Sequence, residues 1–122
     1  MTPKELYDRL EGDYNDMLGR LGMDALIARF VVKFVDDQSV PQLFAAWEAG
    51  DEKAAFNAAH QSKGVAANLS LTKVQNLASQ ICEALREGNE ELRASTDVDA
   101  LVDELRDVYA FTIDTLKDFA AQ

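Results

Sequence analysis

The stretch Glu52-Lys53-Ala54-Ala55-Phe56-Asn57-Ala58-Ala59-His60-Gln61-Ser62-Lys63-Gly64-Val65-Ala66-Ala67-Asn68-Leu69 decides the fold. Its apolar spacing is helical. On a wheel of about 100° per residue with His60 at zero, Ala54, Ala55, Ala58, Ala59, Val65, Ala66 and Leu69 collect on the far side. They predict the buried face. His60, the only histidine of the chain, falls nearly opposite and is expected to point outward. A histidine serving only the core would sit inside the apolar stripe. Around His60 lie Lys53, Phe56, Asn57, Lys63, Gly64, Ala67 and Asn68, an unusual mixture for a solvated face.

Glycine inside a helix costs about 1 kcal/mol relative to alanine. Gly64 lies one turn from His60 on the same face, where the missing side chain clears space for an approaching surface. A neutral replacement in a stable bundle is the plainer alternative. Lys63, three residues from His60, is a surface neighbour. If His60 carried a phosphoryl group, with about two negative charges near neutral pH, that ammonium would stabilise it in the product and during transfer. On its own, a solvated lysine is the ordinary reading. Phe56 suits a docking patch, or covers a groove against short helices. Ala67 keeps the face flat. Asn57 and Asn68 can hydrogen-bond a partner or simply stay solvated.

The same 3.6-residue period runs outward in both directions, with no convincing strand. Thr2, Pro3 and Glu5 form a helix start, followed by Leu6, Tyr7 and Leu10 up to Gly12. A second short piece passes through Tyr14, Met17 and Leu18. A longer helix is expected from about Met23, with Leu26, Ile27, Phe30, Val31, Phe34 and Val35 as its core stripe. Ser39 is expected to cap a short helix bearing Leu43, Phe44 and Trp47, which Gly50 stops. Asp51 then caps the helix of His60. Beyond it, Leu71 to about Glu87 has Leu71, Val74, Leu77, Ile81 and Leu85 as its seam and is closed by Gly88. A last helix spans about Val98 to Ala120. The pattern predicts an all-α fold: one domain over residues 1–122, an antiparallel four-helix bundle with additional short N-terminal helices.

Composition agrees. The chain has 122 residues, 48% hydrophobic, and a formal net charge of −10. That charge, read as diffuse, disfavours nucleic-acid and membrane-surface binding. It suits a monomer, or a partner offering positive charge near the contact. One cysteine, Cys82, makes neither an internal disulfide nor a thiolate metal site, so no metal is expected. No apolar run suggests a membrane span, and the first residues lack a signal-peptide pattern. A cytoplasmic location is the expectation.

The segment Ala59-His60-Gln61-Ser62-Lys63-Gly64-Val65-Ala66-Ala67-Asn68-Leu69-Ser70-Leu71 resembles the signature of histidine-containing phosphotransfer (HPt) domains. The resemblance extends over nearly the whole chain through the Ala-Gly-Asp step before the motif and the order of helices. It implies a four-helix bundle that relays phosphoryl groups between aspartates of response-regulator receiver domains, with a hybrid histidine kinase upstream. By that resemblance His60 is the phosphoacceptor, Lys63 assists the phosphoryl group, and Gly64 admits the receiver's loops. Two departures stand out. Ser70 replaces a common glycine and is expected to cap the next helix. Cys82 aligns with a glutamine that hydrogen-bonds the histidine in many members; Gln80 or a water would then supply that contact, or the ring is held less firmly.

The resemblance further implies that the outward imidazole nitrogen attacks a phosphoaspartate, with magnesium supplied by the receiver and no cofactor on this chain. No Gly-rich phosphate loop is present, so autonomous kinase activity is not expected. Two alternatives share the helical fold: a detached histidine-kinase dimerisation module, disfavoured by Gln61 and the lack of a following proline, and a phosphorylation-independent adaptor gripping a partner with the Phe56 face.

Overall fold

Caps written into the sequence set many helix boundaries in the computed structural model, which describes residues 1–122. Thr2 and Glu5 form a reciprocal capping box that starts helix α1, Pro3–Leu10. Asp13 caps α2, Tyr14–Leu21, and α3 follows over Asp24–Val31. A 3-10 turn, Val32–Asp36, leads to α4, Ser39–Glu48. Asp51 accepts the Ala54 N–H at 3.0 Å and starts α5, Glu52–Asn68, as its residue type predicted. Then come α6 (Thr72–Leu85), α7 (Glu90–Ser95) and α8 (Val98–Ala120). All regular structure is helical.

Helix α5 packs between α4 and α6, and α8 closes the bundle against α6, diagonally opposite α5. The neighbours are antiparallel. Trp47 near the end of α4 donates to Asp99 near the start of α8, while Phe44, one turn earlier, meets Tyr109 further along α8. One buried cluster runs from Leu6 to Phe119 and joins the short N-terminal helices to the bundle.

Four local expectations are corrected. The long helix from Met23 ends at Val31. The 3-10 turn after it has about three residues per turn, which brings Val31 and Phe34 together into the core and leaves Phe30, placed in the expected stripe, 38% exposed. The fourth bundle member is therefore α4. Ser39 is the first residue of α4, not its cap; the Asp37 carboxylate accepts its N–H and hydroxyl instead. Ser70 does not cap α6. It sits in the left-handed region with φ 52°, which explains why glycine suits that position. Its hydroxyl bonds Asp16 at 2.6 Å and Arg20 at 2.8 Å. Finally, α7 was not expected; it buries no residue and so leaves no apolar stripe to read.

The N-terminal helices clamp the turn between α5 and α6. Tyr7 donates its hydroxyl to the Leu69 carbonyl at 2.6 Å, and the Asp13 N–H reaches the Ser70 carbonyl at 3.0 Å. Gly12 makes this approach possible, since a Cβ there would lie 2.7 Å from the Ser70 oxygen.

Candidate functional site

Small residues build the face of α5 that meets the bundle. Ala55, Ala58, Ala59, Ser62 and Ala66 are buried, while Ala54, Val65 and Leu69 are half-buried. Ser62 was not among the expected core residues. It fits because its hydroxyl donates to the Ala58 carbonyl at 2.8 Å within the helix. His60 projects from the opposite side and is exposed, as the wheel predicted.

The ring is not isolated. Phe56, one turn earlier, stacks with it at 6.2 Å between centroids and 18° between planes. The guanidinium of Arg86, the residue that caps the end of α6, lies 5.2 Å from the Phe56 ring. Arg86 is anchored by Glu83 through contacts of 2.9 and 3.3 Å and also reaches the Cys82 sulfur at 3.9 Å. Cys82 Sγ in turn stands 4.0 Å from His60 Nδ1. His60, Phe56, Arg86 and Cys82 thus close a ring of contacts across the two helices. Phe56 is covered from α6, not by the short N-terminal helices. It borders a groove of about 720 Å³ with Lys53, Asn57 and Leu85 among its walls.

Cys82 occupies the place facing the histidine that the family resemblance assigned to a glutamine. The contact comes from Cys82 itself, while Gln80 is exposed. A thiol at 4.0 Å holds a ring nitrogen weakly compared with an amide. With Nδ1 turned to α6, Nε2 is the nitrogen directed away from it. Burial pushes the Cys82 thiol above its ordinary pKa, against the pull of Lys63 and Arg86. The Arg86 hydrogen bond lowers the Glu83 carboxyl and leads the other causes there; Lys63 and His60 contribute smaller electrostatic parts. Lys63 is therefore electrostatically close to the site, yet it is in no ion pair.

Gly64 is exposed, and a Cβ added there would meet nothing within 4 Å. Nothing inside the chain requires glycine at this point. Asn57 and Asn68 are exposed, Ala67 is half-buried, and the Ala67 carbonyl accepts a hydrogen bond from Arg20 at 3.4 Å. These residues extend the His60 face along α5 in both directions. No group of three or more His, Cys, Asp or Glu side chains could hold a metal ion. No helix is long and apolar enough to cross a membrane.

Sequence reasoning missed Arg86 and Glu83. Glu83 lies in the last turn of α6 and Arg86 is the residue just past its end, and only the register between two helices brings them to the His60 site.

The fold and the site define a helical bundle with an outward histidine, a nearby unpaired lysine and an open glycine on one face. The family profile described as Hpt domain matches residues 30–109, well over half of the chain, and the chain belongs to this family. Hpt domains serve histidine phosphotransfer in phosphorelays and are carriers rather than kinases; they interact there with receiver domains and kinases. No curated protein and no solved structure matches the chain.

Proposed function

We propose that this protein carries a phosphoryl group on His60 Nε2 and exchanges it with aspartates of receiver domains. One observation carries the reading: the family transfers phosphoryl groups on histidine, and the one histidine of this chain stands exposed on α5 within the matched region. In the transfer, the Nε2 lone pair forms a bond to phosphorus as the bond from phosphorus to the aspartyl oxygen breaks. The carboxylate leaves with the bonding pair, and the ring keeps its proton on Nδ1, facing the Cys82 sulfur. Lys63 stabilises the charge on the transferring group. Phe56, Asn57, Gly64, Ala67 and Asn68 form the docking face. The receiver brings the divalent cation, and a hybrid histidine kinase stands upstream. The protein acts as a monomer in the cytoplasm.

Incubation with a panel of phosphorylated receiver domains tests this. Acid-labile, base-stable phosphate should appear on the wild-type chain and be absent from His60→Gln. Label that persists in His60→Gln would overturn the assignment. Lys63→Ala should keep the label but slow its arrival; an unchanged rate would remove Lys63 from the mechanism and leave His60 in place.

A further inference from the structure

The net charge of −10 is not spread evenly, which corrects its reading as diffuse. Residues 53–82 contain no aspartate or glutamate and include Lys53, Lys63 and Lys73, so the rest of the chain carries −13. The acid-free stretch is α5 beyond its first residue and most of α6. Helix α8, diagonally opposite α5, exposes Asp99, Asp103, Glu104, Asp107, Asp114 and Asp118. The molecule is therefore electrically polarised, with the His60 face as its positive pole.

Besides Lys63 beside His60, free lysines stand at the two ends of that face. Lys53 precedes His60 by two turns and makes no ion pair; of the acids in its groove, Glu52 is held by Arg93 and Glu87 lies on the wall away from α5, past the end of α6. Lys33, from the 3-10 turn, shares a hollow with Asn68 at the far end of α5 and lies 4.6 Å from the ring of exposed Phe30. Asp37, the acid in that hollow, is engaged by Ser39. Arg20 and Arg86 border the face but are each matched by an acid, Asp16 and Glu83. From Lys53 to Asn68 the face is about 22 Å long at 1.5 Å per residue. A standard interface of about 800 Å² per partner would cover it end to end.

We infer that Lys53 and Lys33 make this face an electrostatic docking surface for a protein partner with an acidic contact face, acting in encounter rather than in transfer. The inference rests on the proposed function and names the charge of the partner's surface. It reverses the expectation that the partner offers positive charge. A polarised molecule turns its positive pole toward an acidic partner before contact, which raises the productive encounter rate. A protein fits better than a nucleic acid or anionic membrane. The chain as a whole repels extended polyanions, and Phe56 and Phe30 with the open surface at Gly64 give the mixed apolar and charged character of a protein contact.

The test uses a receiver domain that delivers phosphate to His60, with transfer rates measured against receiver concentration at low and high salt. Lys53→Glu and Lys33→Glu should each raise KM about three- to tenfold at low salt, leave kcat nearly unchanged, and flatten the salt dependence. Lys117→Glu, at the far end of α8, should behave as wild type. Intact transfer with a salt-independent KM, or with Lys53→Glu and Lys33→Glu matching Lys117→Glu, overturns the docking inference alone. Failure of every receiver to label His60 overturns the proposed function and this inference with it. Displacement of the receiver by an equimolar short DNA duplex would assign the face to nucleic acid and also overturn it.

Discussion

Gly64 and Gly12 differ in what the fold requires of them. A Cβ there touches nothing, whereas one at Gly12 would collide with the Ser70 carbonyl. Gly64→Ala should therefore stabilise the isolated protein by about 1 kcal/mol, because alanine is the better helix former. For a domain of this size that is a rise of roughly 4 °C in Tm. The same change adds a methyl group to the proposed docking face, where it would stand between His60's helix and a docked receiver, so phosphotransfer should slow. Stability from urea melts and transfer rate should move in opposite directions; an unchanged rate would show that no surface approaches Gly64. His60, Phe56, Lys63 and Gly64 could be grouped from sequence because one helix fixes their angles. Cys82 was reached only through resemblance, and Arg86 and Glu83 were not reached. Their approach depends on how far α6 slides along α5, and the periodicity of either helix alone does not encode that offset.

At the scale of elements, the turn from α5 to α6 fixes that offset, and Ser70 is its strained residue. A left-handed backbone costs a non-glycine residue about 1–2 kcal/mol, and the bonds of the Ser70 hydroxyl to Asp16 and Arg20 offset it. Ser70→Ala keeps the strain and loses both bonds, so it should destabilise the fold by about 2 kcal/mol. Ser70→Gly loses the bonds but also the strain and should stay within about 1 kcal/mol of wild type. Equal denaturation midpoints for the two variants would show that the backbone at Ser70 is unstrained. The Ser70 hydrogen bond, with help from Arg20, holds the Asp16 carboxyl below its ordinary pKa. Its contribution is thus present above the usual carboxylate range and fades as pH falls through the lowered value. Helix ends were legible where a cap and a long stripe coincide, as in α8, which Asp97 caps and which runs over the expected Val98–Ala120. They were not legible where tertiary packing decides. A helical stripe does not distinguish another α-turn from the 3-10 turn that buries Phe34.

For the whole molecule, the weak direction is alkaline. The core that joins the N-terminal helices to the bundle contains Tyr7, fully buried and bonded through its hydroxyl to the Leu69 carbonyl. Burial pushes the Tyr7 phenol far above the ordinary tyrosine range, overriding the smaller opposite effect of Arg20. In the unfolded chain the same phenol ionises near its usual pKa of about 10. Below that pH both states hold the proton and stability is unaffected. Above it the unfolded state is favoured, by about 1.4 kcal/mol for each further pH unit, until the folded phenol also ionises. Cys82, raised by burial too, starts a similar loss at lower pH, in the ordinary thiol range. Tyr7→Phe separates the two. At neutral pH it loses one hydrogen bond and should be less stable by about 1 kcal/mol. Between about pH 10 and pH 11 wild type should lose about 1 kcal/mol more than the variant, closing the gap. The loss that begins with Cys82 is common to both proteins and cancels in the comparison. Urea melts of the two proteins across this range give the answer: parallel stability curves would mean that the Tyr7 hydroxyl reaches solvent and that the clamp on the α5–α6 turn is open.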